Sequence, residues 1–220
     1  LKGEFICPKN KIFLLSICLL FLIVGIGGQI VLGKESNAVS SGESDLEFAV
    51  AKVLREMPDI AHKLQETTIN SGVNLATVEE SLDNRKVEFR LKVHNEMSHL
   101  KHDNAYLEKV AVEETERYID ALRIAKEIYG VSISQDEVNQ YIATNVADIV
   151  LPEKERYAKA LGISLYELDY SFDRDFYVMD TLWDKLMPVL MERYPQEDGE
   201  DSNLYLDRIK DEFYSHSLTR

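Results

Sequence analysis

VEETERYIDALRIAKEIYGVSISQDEVNQYI, residues Val112–Ile142, holds two helix signatures separated by a stop and a start signal, and the rest of the chain is read outward from it. Val112, Ile119, Leu122, Ala125 and Tyr129 recur at helical spacing, with Glu113, Glu116, Arg117, Asp120, Arg123 and Lys126 between them, which predicts a one-sided helix. Gly130 stands where a left-handed C-cap falls. Ser134 with Glu137 three residues on makes a capping box for the next helix. The chain is therefore expected to turn sharply between them.

The 220 residues are 45% hydrophobic and 29% charged, ordinary globular material for one membrane segment and one core. Net charge is -14. The first 34 residues carry four Lys against Glu4, which leaves 21 basic and 38 acidic residues in 35–220, a balance of -17. So acidic a surface repels phosphate backbones, and nucleic acid is excluded as a partner. Cys7 and Cys18 both lie near the N-terminus, so residues 35–220 hold no disulfide, thiolate metal site or cysteine nucleophile.

Ile12–Gly33 is an uncharged run of 22 residues, long enough to span a bilayer core as a helix. It reads as a membrane anchor or a signal peptide. The run exceeds a signal-peptide core in length, and the one small-x-small site, Ala38-Val39-Ser40, lies beyond its end, which favours the anchor. Three Lys precede it and acids follow Lys34, so residues 1–11 are expected in the cytoplasm and the remainder outside.

Residues 34–44 read as a tether, and Ser44 with Glu47 as a helix start. Leu46, Val50, Val53, Leu54 and Met57 share one face until Pro58, after which Ile60 and Leu64 continue it, as one kinked helix or two. Asn70-Ser71-Gly72 between Ile69 and Val73 suggests a very short hairpin or an extended turn. Thr77 with Glu80 predicts a further helix from Val78 to about Lys101, and His102-Asp103-Asn104 breaks it.

Ile69-Asn70-Ser71-Gly72-Val73-Asn74-Leu75, the helix start after it, and Tyr118–Ile142, above all Ala125-Lys126-Glu127-Ile128-Tyr129-Gly130-Val131-Ser132-Ile133-Ser134, together resemble the N-terminal domain of SurA-type chaperones. The likeness covers about 68–194. It continues in Tyr157-Ala158-Lys159-Ala160-Leu161-Gly162-Ile163-Ser164, a second glycine-stopped helix opened by Pro152, with Ser164 and Glu167 as another capping box. The resemblance implies a mainly α fold, a multi-helix domain over 45–194 with at most a very short β-hairpin, preceded by one transmembrane helix. It also implies a cradle that holds unfolded secreted polypeptides without ATP at the bacterial cell surface. SurA and PrsA relatives commonly carry a parvulin-type prolyl isomerase; the 26 residues after Tyr194 resemble none of its motifs, so no isomerase activity is expected.

From Leu165 the richest apolar series in the chain runs through Leu168, Phe172, Phe176, Met179, Leu182, Trp183, Leu186, Met187, Leu190 and Met191, interrupted near Asp169–Arg174 and bent at Pro188. Residues 195–203 read as an acidic linker. Tyr205, Ile209 and Phe213 give one face of a terminal helix within 204–220. Chemistry and position nominate Tyr141, Tyr157, Phe172, Phe176 and Trp183 as peptide contacts. The Trp183, Met179, Met187 and Met191 stripe reads first as core and second as a partly open groove.

No phosphate loop, dinucleotide fingerprint, HExxH or GxSxG motif occurs, so no catalytic residue and no cofactor is expected. His94, His99 and His102 complete no metal ligand set. The acid pairs Glu79-Glu80, Glu113-Glu114 and Asp173 with Asp175 read as solvated helix faces. The reading of a different class is an envelope scaffold or regulator that binds one folded partner.

Overall fold

The structure, a computed structural model, describes residues 42–69 and 77–216, with the side chains of 42–44 and 65–69 set aside. The expected span at 12–33 lies outside the described residues, as do 70–75 of the expected hairpin, while Ile69, expected to open that hairpin, is helical. Within them every regular element is helical. No helix there is long and apolar enough to cross a membrane.

The helices are α1 Gly42–Glu56, α2 Pro58–Ile69, α3 Asn84–Met97, α4 Asn104–Tyr129, α5 Gln135–Asn145, α6 Pro152–Leu161, α7 Arg174–Arg193 and α8 Ser202–Ser215. A 3₁₀ turn, Glu79–Ser81, precedes α3, and a single turn at Leu165–Glu167 runs into a π-helix, Leu168–Phe172, just before α7. α1 and α2 are two helices, since Pro58 cannot carry the helical hydrogen bond across the joint. α7 continues through Pro188.

The caps explain most boundaries. Gly130 closes α4 at φ 68° and Gly162 closes α6 at φ 74°, both in the left-handed region that a Cβ disfavours. Ser134–Glu137 and Ser164–Glu167 each form the reciprocal capping box. α3, however, starts at Asn84, not Val78. The Asp83 side chain accepts from the Arg85 amide, while Val78–Ser81 makes only the 3₁₀ turn. α8 begins at Ser202 on the Asp201 cap, inside the stretch expected to be linker.

α3 is the central strut. Val87–Val93 are all buried, charged members included, because α1 covers one side and α4 the other. One apolar cluster joins Val50 and Val53 of α1, Met57 at the joint, Ile60 of α2, Phe89 of α3, Tyr157 and Leu161 of α6, and Leu168 and Phe172 of the π-turn. The other joins Ile124 of α4, Val138 and Ile142 of α5, Val178, Leu182, Leu186 and Leu190 of α7, and Ile209 and Phe213 of α8. α4 packs on Leu107, Ala111, Thr115, Tyr118, Leu122 and Ala125, so the expected stripe holds at Leu122 and Ala125, while Ile119 faces solvent.

Candidate binding surface and the buried charge cluster

The nominated peptide contacts do not form one surface. Tyr141 (8% exposed), Tyr157 (2%) and Phe172 (3%) are core residues, which corrects the expectation that they face a client. Tyr157 and Phe172 meet edge to face at 6.3 Å, and Phe172 meets Phe89 in the same way at 5.7 Å, all in the cluster around α1 and α6. Tyr141 sits in the other cluster, its hydroxyl hydrogen-bonded to Asp180. Phe176 and Trp183 are half-buried on the rim of that cluster.

Around Trp183 the structure builds an aromatic socket. The Trp183 ring lies 5.2 Å from Phe213 and 5.9 Å from Tyr214, both edge-on. Tyr129, the last residue of α4, stands 5.7 Å from Phe213, and its hydroxyl lies 3.2 Å from that of Tyr194. The Arg193 guanidinium covers the Tyr129 ring at 4.9 Å. Three helix ends thus meet here, and the filling comes from α8. Along α7, Met179 is buried and Met187 half-buried, while Met191 is 41% exposed.

A second constellation went unseen in the sequence. Arg90 of α3 and Asp175 of α7, 3% and 1% exposed, form a two-nitrogen ion pair between the two apolar clusters. Arg90 also reaches Asp173 and the Phe172 carbonyl, each at 3.4 Å, and its guanidinium lies 4.1 Å above the Phe176 ring. Asp173 and Asp175 are therefore no solvated face, contrary to the expectation above. Burial works against the charge on Arg90, but Asp175 and Asp173 outweigh it and hold the guanidinium protonated. Burial raises Asp173 to about 7 against the pull of Arg90.

The π-turn sets this geometry. Its widened turn, closed by the Asp173 amide on the Leu168 carbonyl at 2.8 Å, turns Phe172 into one cluster while α7 restarts in the other. Nearby, Lys154 pairs with Asp169 at 2.7 Å, the Tyr177 hydroxyl donates to Asp169 at 3.2 Å, and Lys86 donates to the Ser171 carbonyl at 2.8 Å. Cations and carboxylates balance, and each carboxylate has a donor, so the cluster is a strut that fixes α3 against α7.

His94 lies 3.4 Å from the Ser98 hydroxyl, and His102 packs on Tyr106 at 4.8 Å. His99 ends α3 at φ 51°. Among the described residues no group of three or more His, Cys, Asp or Glu side chains is placed to hold a metal ion. Compared with family models, with curated proteins and with solved structures, the chain matches none.

Proposed function

We propose that the chain is a membrane-anchored, extracytoplasmic, ATP-independent chaperone or foldase-like protein that binds unfolded secreted polypeptides and catalyses no reaction on them. The observation that carries this reading is the part of α7 and its C-cap that the core does not absorb. Trp183, Met187, Met191 and Tyr194 leave a partly open strip of aromatic and thioether surface beside the socket. Methionine adapts its shape to unlike partners, and aromatic edges accept varied apolar groups, which suits weak, sequence-tolerant binding. An exterior of -17 over 35–220 keeps the holder soluble and favours clients that are not themselves acidic. The resemblance of Tyr118–Ile142 to SurA-type chaperones supports the same reading, and the uncharged run 12–33 supports the anchor.

The test is breadth. The full chain is expected to suppress aggregation of several unrelated unfolded proteins without nucleotide and to leave prolyl isomerisation at its background rate. The second reading, a scaffold for one folded partner, is favoured by the burial of Tyr141, Tyr157 and Phe172, which closes the interior to extended chains. Failure on every unfolded protein together with capture of one partner at fixed stoichiometry would establish that reading instead.

A further inference from the structure

The helix α8 offers its three core residues, Tyr205, Ile209 and Phe213, at every fourth position, while the positions around them are exposed or half-exposed. Its start lies at Met191, whose carbonyl accepts from the Tyr205 hydroxyl at 3.5 Å, and its end lies at Trp183 through Phe213. It therefore folds back along the strip just described. The connection at 195–201 buries no apolar side chain and is held by a polar clasp. Arg208 pairs with both oxygens of Glu200 at 2.8 and 2.9 Å and donates to the Pro195 carbonyl at 3.1 Å.

From this arrangement we infer that α8 is a displaceable internal ligand: the socket at Tyr129 and Trp183 accepts, in its place, amphipathic segments of other polypeptides with an aromatic or aliphatic residue at every fourth position. The inference rests on the chaperone reading and names its site. A helix of 14 residues has little stability of its own, so α8 is ordered by the socket and becomes a solvated segment on leaving it. The ring contacts it makes, edge-on to Trp183 and tilted on Tyr129, select for apolar shape rather than for a particular sequence. The clasp is half-buried and touches neither Trp183 nor Tyr129, so it tunes how often α8 leaves without contributing to the walls that a replacement would meet.

Occupancy gives the inference a number. A site blocked most of the time binds with an affinity reduced by the open fraction, so any change that raises that fraction must raise affinity by the same factor. Two measurements on the full chain in mild detergent test this, with Trp183, the only tryptophan, as reporter. In the wild type, amides of 202–215 are expected to exchange hydrogen at least ten-fold faster than those of 178–190. In Arg208→Ala, exchange in α8 is expected to accelerate further, Trp183 emission to shift to the red, and reduced carboxamidomethylated lysozyme, which is not acidic, to bind more tightly by the factor seen in exchange. A synthetic peptide of residues 201–216 is expected to compete it off.

Exchange of α8 in step with α7 would overturn the inference with no variant needed. An opened Arg208→Ala chain that binds the unfolded protein no better than wild type would overturn it too, while leaving the chaperone reading intact. Binding of the 201–216 peptide with no binding of the unfolded protein by any form would support the socket and sink the chaperone reading. A concentration-dependent doubling of mass would assign the socket to the α8 of a second copy, against the inference.

Discussion

Replacing Arg90 by Met is expected to destabilise the chain by about 4 kcal/mol, in the range of 3–5 for removing one partner of a buried ion pair. The magnitude follows from what is left behind. Asp175, 1% exposed, loses both nitrogens that face it, and Asp173 loses its contact at 3.4 Å. Met is the fitting probe because its stem fills the guanidinium channel and its sulfur stays over the Phe176 ring. Asp175→Leu alone is expected to cost a similar amount, since it strands the guanidinium. The double variant removes both charges and is expected to cost far less than the two together, a coupling of about 3 kcal/mol or more. Urea denaturation of the full chain, followed by far-ultraviolet circular dichroism, reads all four corners of the cycle. Each single variant should also melt about 8–16 °C lower. Costs that add to within about 0.5 kcal/mol would refute the ion pair as one unit between α3 and α7.

Three further outcomes are expected. A Cβ at Gly130 would meet nothing within 4 Å, so Gly130→Val should cost only the strain of the left-handed backbone at φ 68°, about 1–2 kcal/mol, and Gly130→Asn less; equal thermal stability of both with wild type would contradict the cap. His99 holds φ 51° with a side chain, so His99→Gly is expected to raise stability by up to about 1 kcal/mol in the same denaturation assay, and a loss would show that the ring contributes more than the strain. Burial raises Asp180 to about 6, with Asp184 one turn along α7 adding repulsion and the Tyr141 hydroxyl opposing both. The folded state then takes up its proton at a higher pH than the unfolded state, so the contribution of Asp180 to stability rises as pH falls through 6 towards 4. Asp180→Asn should flatten that rise, worth about 2–3 kcal/mol between pH 7 and 4, and an unchanged profile would place the titration elsewhere.

What was legible in the sequence was local. Gly130, Gly162, Pro152, Ser134 and Ser164 act through bonds within four residues, so type and spacing suffice to place helix ends. The start of α3 was misplaced because Thr77 and Asp83 both offer a cap, and which one holds a helix depends on what its first turn packs against. The buried face of α4 was read at Leu122 and Ala125 but missed at Leu107, Ala111 and Tyr118, because Thr115 lies among them. A hydroxyl looks polar in sequence, yet here it donates to the Ala111 carbonyl at 2.8 Å and needs no water. Asp175 looked solvated because its partner Arg90 lies 85 residues earlier, beyond the reach of any spacing argument. Tyr141, Tyr157 and Phe172 fell into the core for the same reason: hydrophobic residues reveal that they are buried, not whether protein or client buries them.

The π-turn at Leu168–Phe172 also behaves as a counting device for the chain downstream. Each α-helical residue advances the chain by about 100° around the axis. Loss of one residue from the widened turn would therefore swing α7 by roughly that angle without changing its composition or its helical strength. Asp175 would leave Arg90, and the row Val178, Leu182, Leu186 and Leu190 would leave the core together. Length in this five-residue segment is thus less forgiving than identity, and sequences descended from a common ancestor should vary there by substitution while keeping the number of residues.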